Sequence, residues 1–401
     1  KKTSVSSNYA IEIKYIPKFI NSTPFRSDRD RTCDFFAKSN NQIIGYGMDI
    51  EKLRTGIDAI DAEIVRLLNE RCELGRQIGV WKHENNQPIY VPERERILLE
   101  RLANLNPGPL DRESLLAIYR EIMSATIKLE RPVTVAYMGP EGTFSHLAVL
   151  EKFGRGAVAQ PEAAIGDVFR AVESGRADYG MVPVENTTEG VVNPTLDSLT
   201  ASNVKAVAEF NLPVHLFLYS ASPVSEIRCI YSHPQPFGQC REYLQANLRN
   251  ATLIEVTSTT RAIELAERES DAAAIAGALA REYSELPCIA ENIEDNSRNI
   301  TRFLVIGRQE NKPSGDDKTS LCFALHDRAG ALYDALRPFR NHNISMTMIE
   351  SRPLKSGNWE YCFFVDILGH RDEPEIAAAC AELKQDCAMF KVFGSYPRIL
   401  Q

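Results

Sequence analysis

Arg71 and Lys82 lie eleven residues apart in a segment whose apolar residues recur with helical periodicity. Eleven residues make about three helical turns, so the two cations share one face, with their backbones roughly 16 Å apart. Two long side chains at that spacing could clasp a small anion. Arg54 is turned about 100° away from Arg71, so it would serve the same pocket only from a second chain. The alternative interpretation is three solvated cations on a polar helix face.

A second set of candidate residues occupies short loops, rich in hydroxyls and amides, between residues 131 and 307. Each loop alone would suit a helix cap or a solvated turn at the start of a strand. Together, on one scaffold, the loops predict a polar pocket for a small anion. Their sequences are GPEGTFSHLA, PVENTTEG, YSHPQPFGQC, TSTTRAIELAE and NSRNITRFLVIG, and they contain Asn186, Thr187, Ser232, Gln239 and Thr301.

The elements that must position the two cations are helical. Apolar residues over 49–82 recur at steps of three and four, which predicts one long amphipathic helix. Gly75 and Gly79 would let another helix approach it closely. Pro92 suits the first turn of a second helix, and Asp111 can cap a third. Three helices make a thin core, so we expect a second chain to bury the stripe of the first.

The loops belong to a different kind of domain. Over residues 131–307 strand patterns alternate with helix patterns, which predicts an α/β domain with parallel strands and with loops at their carboxyl ends. A polar linker is predicted at 310–317. The tail, 318–401, follows the order strand, helix, strand, strand, helix, strand, which is the ferredoxin-like α+β arrangement. Residues 1–47 show no sustained period and are expected to be a disordered or non-native extension, with a transit peptide as the alternative.

The composition argues against several classes of function. A net charge of −8 argues against a nucleic-acid partner, and no apolar run of about 18 residues indicates a membrane span. Nine scattered cysteines without a C-x-x-C pattern indicate reduced thiols in a cytoplasmic protein. The seven histidines show no zinc-ligand spacing, and neither a phosphate-binding loop nor a dinucleotide fingerprint occurs. We therefore expect an enzyme that works without metal or cofactor.

Four of the loops, GPEGTFSHLA, VPVENTTEG, YSHPQPFGQC and NITRFLVIG, together resemble the signature loops of prephenate dehydratases. The stretch LLNERCELGRQIGVWK with PERE resembles the all-helical chorismate mutase domain, and GALYDAL with IESRP resembles the phenylalanine-binding motifs of an ACT domain. This order is similar to that of the bifunctional chorismate mutase–prephenate dehydratases of bacteria. The resemblance implies a multidomain chain, with a mutase domain over 48–131, a periplasmic-binding-protein-like α/β dehydratase domain over 132–309 and an ACT domain over 318–401.

For the dehydratase, the resemblance implies that Thr301 is catalytic. Prephenate loses CO₂ and its ring hydroxyl to give phenylpyruvate, and a placed hydroxyl can hydrogen-bond to, or protonate, the departing hydroxide. Arg302 could anchor a substrate carboxylate or could instead point into the domain. The further substrate-binding positions that the resemblance implies are Asn186, Thr187, Ser232 and Gln239.

The mutase step rearranges chorismate to prephenate without a nucleophile. Catalysis is therefore positioning of a compact conformer and stabilisation of negative charge on the ether oxygen. The resemblance implies that Arg71 and Lys82 contact the carboxylate and the ether oxygen, and that Arg54 comes from the partner chain. Glu95 would contact the ring hydroxyl, and Glu130 would face the ether oxygen.

One position departs from the family pattern and leaves other interpretations open. Val91 stands where many relatives have aspartate, so a degenerate mutase domain that lacks a polar substrate contact at this position is one alternative interpretation. Arogenate could be the preferred substrate of the dehydratase domain. A small-anion sensor without turnover is a third interpretation, since α/β pockets of this shape also occur in binding proteins and ACT domains respond to ligands.

The resemblance also implies that the tail binds phenylalanine as a feedback inhibitor. Gly330 would let the ligand backbone approach a helix start, where free N–H groups favour its carboxylate. In the family the ligand sits between two ACT domains, so we expect a homodimer that takes chorismate, prephenate and phenylalanine. The alternative is a tail that serves only for dimerisation. The implied phenylalanine contacts are Gly330, Ala331, Leu332, Glu350, Ser351 and Arg352.

Overall fold

A computed structural model describes residues 49–353 and 361–399. The predicted extension, 1–47, lies outside the described residues. Contacts divide the chain into two compact units, residues 1–59 and 60–401. Across the described part of the chain, no helix is long and apolar enough to cross a membrane.

The first part of the chain folds as three helices, as its periodicity predicted. Pro92 opens the second helix. Asp111 caps the third, because its carboxylate accepts a hydrogen bond from the backbone N–H of Ser114 at 2.8 Å. The bounds are α1 Ile50–Glu84, α2 Pro92–Leu105 and α3 Arg112–Glu130.

A six-stranded mixed sheet forms the first lobe of the α/β region. Its elements are β1 Thr134–Met138, α4 Phe144–Phe153, β2 Val158–Glu162, α5 Ile165–Glu173, β3 Tyr179–Asn186, β4 Gly190–Val191, α6 Asn193–Ala201, β5 Lys205–Pro213 and β11 Ile300–Gly307. The strand order is β2-β1-β3-β11-β5, with β4 paired to β3. The predicted parallel pairing holds for β1, β2 and β3, whereas β11 runs antiparallel to both β3 and β5 because it enters after the chain returns from a second lobe.

The second lobe is a five-stranded sheet in the order β10-β6-β9-β7-β8. Its elements are β6 Phe217–Ser220, β7 Cys229–Ser232, α7 Pro234–Gln239, α8 Arg241–Asn247, β8 Thr252–Glu255, α9 Thr259–Ala266, β9 Ala272–Ala276 and β10 Cys288–Ala290. Strand β7 is parallel to β8 and β9, and β6 is antiparallel to β9 and β10. The chain passes between the lobes twice, from β5 to β6 and from β10 to β11.

The tail has the predicted ferredoxin-like order. Its elements are β12 Asp317–Leu325, α10 Ala331–Asn341, β13 Met346–Pro353, β14 Tyr361–Leu368, α11 Pro374–Gln385 and β15 Cys387–Pro397. The four strands form an antiparallel sheet in the order β13-β14-β12-β15. Its apolar face continues the core of the first lobe, where Leu304 and Ile306 pack in one cluster with Cys322 and Phe364.

The polar segment between the first lobe and the tail is a structured junction. The side-chain amide of Asn311, which is 9% exposed, donates to the carbonyl of Val207 on β5 at 2.7 Å and to that of Ser395 on β15 at 2.9 Å. Asp317 is buried and accepts from the backbone N–H and the hydroxyl of Ser314, both at 2.7 Å. Strand β12 therefore begins inside the predicted linker, and the two sheet edges face each other across Asn311.

Candidate active sites

Thr301 lies at the beginning of β11, where the two lobes meet. The strand pairs it with Asn186 at the end of β3 and with Leu212 near the end of β5. The Nδ2 of Asn186 donates to the Oγ1 of Thr301 at 2.9 Å. The turn at the start of this strand therefore brings the Thr301 hydroxyl into contact with the Asn186 amide.

The amide of Asn186 is fixed in orientation by its own partners. Its Oδ1 accepts from the backbone N–H groups of Thr188 at 2.9 Å and Glu189 at 3.0 Å. Its Nδ2 therefore faces Thr301 and the Oδ1 of Asn299, which lies 2.9 Å away. Because the Thr301 oxygen accepts this hydrogen bond, its own proton is free to donate elsewhere. The pair is thus a directed hydrogen-bond donor.

A cavity of about 310 Å³ opens between the lobes beside this pair. The N-terminal turns of α4 and α9 form part of its wall, and their caps are Thr143 and Ser258. Free N–H groups at helix starts favour anions. Among the described residues no lysine or arginine lines the cavity, so N–H groups and side-chain donors would hold an anionic group. The polar residues lining it are Thr143, Ser145, Asn186, Glu189, His233, Gln235, Gln239, Thr257, Ser258, Thr259 and Thr301.

Of the other residues predicted to bind substrate here, Gln239 lines the cavity, whereas Ser232 and Thr187 do not. The hydroxyl of Ser232 is fully buried and donates to the carbonyl of Ile275 at 2.9 Å. The Oγ1 of Thr187 accepts from the N–H of Ile300 at 3.0 Å, which ties the end of β3 to the start of β11. The prediction that Ser232 and Thr187 contact the substrate is corrected for both residues, because their hydroxyls make hydrogen bonds to the backbone around the site.

Arg302 points away from the cavity, because consecutive residues of a strand face opposite sides of the sheet. Its side chain is 12% exposed, and its guanidinium lies 2.9 Å from the carboxylate of Glu209 and 2.6 Å from that of Asp366. The prediction that it anchors a substrate carboxylate is therefore wrong. Of the two directions that the sequence left open, the side chain takes the one into the domain.

Asn299 is a site residue that the sequence did not single out. It is buried, its Oδ1 accepts from Asn186, and its backbone carbonyl accepts from the N–H of Val214 at 2.8 Å. It thereby holds the amide that contacts Thr301. The signal was the second asparagine of NSRNITRF, but the sequence does not indicate that this residue reaches across to β3.

Helix α3 crosses α1 at Gly75 and Gly79, as their spacing predicted. Gly75 faces the side chain of Thr126 and Gly79 faces that of Glu130, so closely that neither position has room for a Cβ atom. One turn before the crossing, the Nη1 of Arg71 donates to the Oγ1 of Thr126 at 2.7 Å. The crossing thus places a fixed cation on the face that the sequence predicted.

Lys82 and Glu130 make the second polar contact between these helices. The Nζ of Lys82 lies 3.5 Å from the carboxylate of Glu130 and donates to the carbonyl of Ile89 at 2.7 Å. Both side chains line a cavity of about 1090 Å³, which Arg71 does not line. Burial raises the pKa of the Glu130 carboxyl, and the charge of Lys82 opposes that shift. The pair can therefore offer an anion a positive charge and, when the carboxyl is protonated, a proton donor.

Glu95 faces the first lobe and does not line this cavity. Its carboxylate accepts from the hydroxyl of Tyr90 at 2.8 Å and pairs with the Nζ of Lys152 on α4 at 2.7 Å. The prediction that Glu95 contacts a substrate ring hydroxyl is corrected, because its carboxylate is paired with Lys152. Val91 is the N-cap of α2 and supplies no side-chain hydrogen bond, so the position lacks the cap that an aspartate could give.

The apolar stripe of α1 is open to solvent in the described chain. Six of its residues are between 46% and 61% exposed and recur at steps of three, four and seven, which is the seam of a coiled coil. They are Ile60, Ile64, Leu67, Leu74, Ile78 and Trp81. Arg54 belongs to the other compact unit, where it pairs with Glu51 at 2.8 Å.

The two predicted phenylalanine motifs lie at different places in the tail. Residues 330–332 line a cavity of about 270 Å³ together with Tyr361 and Phe363. Gly330 has a φ of 81°, the left-handed conformation that favours glycine, and it is the N-cap of α10.

The second motif, Glu350 to Arg352, lies on β13, an edge strand separated from β12 by β14, and it does not line that cavity. The guanidinium of Arg352 lies 2.5 Å from the carboxylate of Asp197 on α6. Within one chain the Arg352 side chain therefore contacts the first lobe, and its role at a phenylalanine site between two tails stays a prediction.

Three family models match the chain in succession. They are chorismate mutase type II over residues 53–131, prephenate dehydratase over 135–311 and the ACT domain over 321–384. The first range contains all the residues proposed for a mutase, the second those around Thr301, and the third both phenylalanine motifs.

Two relatives carry the same name, bifunctional chorismate mutase/prephenate dehydratase. The one from Aquifex aeolicus is 48% identical over 357 residues, which cover 88% of this chain and 99% of the relative. The one from Stutzerimonas stutzeri is 41% identical and covers 87% of this chain and 98% of the relative. The similarity therefore extends over nearly the whole length of both relatives.

Two solved structures are similar to about two thirds of the chain. The prephenate dehydratase of Arthrobacter aurescens in complex with L-Phe is 31% identical, with a TM-score of 0.62, and covers 66% of this chain and 90% of its own. A quorum-quenching acylase is 27% identical, with a TM-score of 0.61, and covers 66% of this chain and 98% of its own. The fold alone therefore does not distinguish a dehydratase from an acylase.

Proposed function

The chain belongs to the family of bifunctional chorismate mutase/prephenate dehydratases, and we propose that it converts chorismate to prephenate and prephenate to phenylpyruvate in phenylalanine biosynthesis. We assign dehydration to the cavity at Thr301 and rearrangement to the cavity at Lys82 and Glu130. Eight free cysteines among the described residues favour a reducing compartment, so we also propose a cytoplasmic location.

Dehydration requires prephenate to lose a carboxylate as CO₂ and its ring hydroxyl as water. The bond to the carboxylate breaks, its electron pair completes the aromatic ring, and the bond to the hydroxyl oxygen breaks with its pair. That oxygen needs a proton or a strong hydrogen bond as negative charge develops on it. Thr301 can donate because its own oxygen accepts from Asn186, and the same N–H stabilises charge on the threonine oxygen. This hydrogen bond is the observation that carries the proposal.

The test is turnover of prephenate by the full-length protein, measured as phenylpyruvate formed and CO₂ released. The Thr301→Val variant keeps the shape of the side chain and removes its hydroxyl, so it should lose most of the activity. Binding of prephenate without release of CO₂ by the parent protein would support the sensor and contradict the enzyme.

Rearrangement requires chorismate to be held as a compact conformer while negative charge grows on its ether oxygen. We propose that Lys82 and protonated Glu130 meet that oxygen and that Arg71, held by Thr126, meets a carboxylate. A second chain would cover the open stripe of α1 and bring in its own Arg54, so the mutase acts as a homodimer. Val91 weakens the site without removing a cation.

We propose that phenylalanine binds the tail and inhibits dehydration. The solved relative from Arthrobacter aurescens is a complex with L-Phe, and the chain carries an ACT domain. The ligand carboxylate would meet the start of α10 at Gly330, and its ring would pack on Leu332 and Phe363. Because the second motif lies on the edge strand β13 and does not line the cavity at Gly330, residues such as Glu350 would come from the second tail of the dimer.

Arogenate is the second candidate substrate, and one observation favours it. Glu189 lines the Thr301 cavity, and no described lysine or arginine does. Arogenate carries an ammonium group where prephenate has a keto group, and a carboxylate would attract it. The ratio of kcat/KM for the two substrates decides between them, and a Glu189→Gln variant should lower only the value for arogenate.

Acyl cleavage, the activity named for one solved relative, lacks such support. An acylase of the usual kind needs a nucleophile activated by an adjacent base. The Nδ1 of His233 accepts from the backbone N–H of Gln235 at the start of α7. This nitrogen is therefore committed to a helix cap, and no hydrogen bond joins His233 to a hydroxyl among the residues that the structure describes.

A further inference from the structure

Arg302, the residue after Thr301, is held in a buried cluster between the first lobe and the tail. Its guanidinium contacts Glu209 of β5 at 2.9 Å and Asp366 of β14 at 2.6 Å, and it donates to the hydroxyl of Tyr396 on β15 at 3.0 Å. The Nζ of Lys318 on β12 contacts Glu209 at 2.7 Å. Two cations thus face two buried carboxylates, each at most 3% exposed, and Arg302 also lies 3.9 Å from the more exposed carboxylate of Glu185.

The backbone at Arg302 determines where Thr301 lies. Strands β11 and β3 shift register here, since Arg302 opposes Glu185 while Phe303 opposes Pro183. One extra residue of β3 therefore forms a bulge, and bulges re-aim the side chains next to them. Thr301 lies one residue before Arg302, at which this irregularity begins. The contacts of the Arg302 side chain with Glu209, Asp366 and Tyr396 hold strand β11 at its register shift against β3.

The same cluster reaches the strand that carries the second phenylalanine motif. The Nη1 of Arg302 lies 3.8 Å from the Sδ of Met348 on β13. Met348 is paired with Asp366 across β13 and β14. Glu350 follows two residues later on the same strand. A shift of β13 on ligand binding would therefore reach Arg302 through both Met348 and Asp366.

We propose that Arg302 is a positioning residue for dehydration: clamped by the tail, it holds Thr301 against Asn186 and passes the state of the tail's ligand site to that hydroxyl. This rests on the proposed function of Thr301. Arg302 itself lies on the other side of the sheet from the cavity, so it acts through the backbone of β11. A displacement of about 1 Å in a reacting group can lower a rate on the order of 10²-fold.

Steady-state dehydration of prephenate by the full-length protein tests the proposal with two variants. Asp366→Asn keeps the shape of the side chain but leaves Arg302 and Lys318 with one buried carboxylate. Tyr396→Phe removes the hydroxyl that contacts Arg302 at 3.0 Å and Ser320 at 2.6 Å, and it removes no charge, so it keeps the test decisive if the first variant fails to fold. We expect kcat to fall about 10-fold in Asp366→Asn and about threefold in Tyr396→Phe, with KM within about twofold, because no cavity residue changes.

Lys391→Met is the matched control. Lys391 of β15 joins the tail to the first lobe, where its Nζ donates to the carbonyls of Thr200 at 2.8 Å and Ser202 at 2.5 Å. These contacts involve no residue of β11. The variant removes contacts between the tail and the first lobe but none in the Arg302 cluster, so it should keep the parent kcat.

Phenylalanine inhibition is the readout that a merely structural role would not move. The concentration for half-inhibition should shift several-fold in Asp366→Asn and Tyr396→Phe and stay at the parent value in Lys391→Met. Parent kcat in both cluster variants would overturn the proposal, and a lowered kcat with an unchanged midpoint would overturn the link to the tail. Failure of the parent protein itself to turn over prephenate would instead overturn the proposed function.

Discussion

The cavity at Thr301 and the cavity at Lys82 are both proposed to take a small dianion, but their linings differ. Among the described residues, no lysine or arginine lines the first, where hydroxyls, amides and two helix starts provide the donors. The second has Lys82 beside a buried carboxyl, with Arg71 nearby on the same helix. The difference follows the chemistry, since dehydration needs a proton donor at one oxygen and rearrangement needs charge around a conformer.

We propose that the two sites also differ in how much of each one chain supplies. The Thr301 cavity is walled by both lobes, and its key hydrogen bonds are made within the chain. The helix that carries Lys82 has an open apolar stripe, and Arg54 belongs to the other compact unit. Activity at a site within one chain should not change when the protein is diluted, whereas activity at a site shared by two chains should fall as the dimer dissociates.

The largest expected effect falls on the mutase alone. Arg71→Ala should lower mutase activity on the order of 10³-fold, because it removes a cation fixed by Thr126 from a site that works by charge. Dehydratase activity should stay near the parent value. The control is Arg66→Ala on the same helix, since the ion pairs of that exposed arginine with described residues, Glu63 and Glu70, are both local. Loss of both activities in a folded Arg71→Ala protein would mean that the sites are not independent.

The reciprocal change is at Thr301. Thr301→Ala should lower dehydratase activity on the order of 10²-fold, the usual scale for a positioned proton donor, and Thr301→Ser should retain part of it. Mutase turnover in the same preparations is the internal control. A fully active Thr301→Ala protein would contradict the catalytic role, and NITRF would then be interpreted as a simple turn at the start of a strand.

The pH dependence of the mutase should separate the sites further. Burial raises the pKa of Glu130, and only its protonated form can donate to the ether oxygen. Mutase activity should therefore be highest below that pKa and fall as the pH rises through it. Glu130→Gln cannot ionise and should flatten the alkaline side of the kcat profile. An alkaline limb that is the same in both proteins would remove Glu130 from the mechanism.

A smaller effect is expected in the tail. Gly330→Ala places a side chain on a backbone with a φ of 81°, at the start of α10 where the ligand carboxylate would sit. The phenylalanine concentration for half-inhibition of dehydration should rise several-fold. Gly315→Ala, at a φ of 94° with open space around it, carries the same backbone strain away from this cavity. Equal midpoints in the two variants would exclude Gly330 from the ligand site.

Local signals in the sequence were sufficient for the helical elements and for part of the mutase geometry. Asp111 and Pro92 predicted two helix starts because capping and a fixed φ act within one turn. Gly75 and Gly79 predicted the crossing of α3, because only glycine leaves room for a helix at that distance. Each of these signals involves residues close together on one element.

The direction of side chains on buried strands could not be predicted in the same way. Leu304, Val305 and Ile306 are all buried, so both faces of β11 are covered and no polar alternation indicates which face meets the cavity. The sequence therefore leaves two orientations open for the Arg302 side chain, toward the substrate or into the domain. Glu95 was misassigned because its partner, Lys152, comes 57 residues later on a different domain. Long-range partners of this kind follow from packing and leave no local pattern.

Subunit complementation tests the difference between the two sites most directly. Arg54→Ala and Arg71→Ala proteins, each inactive as a mutase, are mixed, allowed to exchange chains and assayed. Half of the dimers would be hybrids with one intact site, so about one quarter of the parent mutase activity should return. The same mixing of Thr301→Ala and Asn186→Ala proteins should restore no dehydratase activity, because each cavity lies within one chain. Mutase activity that stays absent after demonstrated chain exchange, or dehydratase activity that returns, would contradict the account.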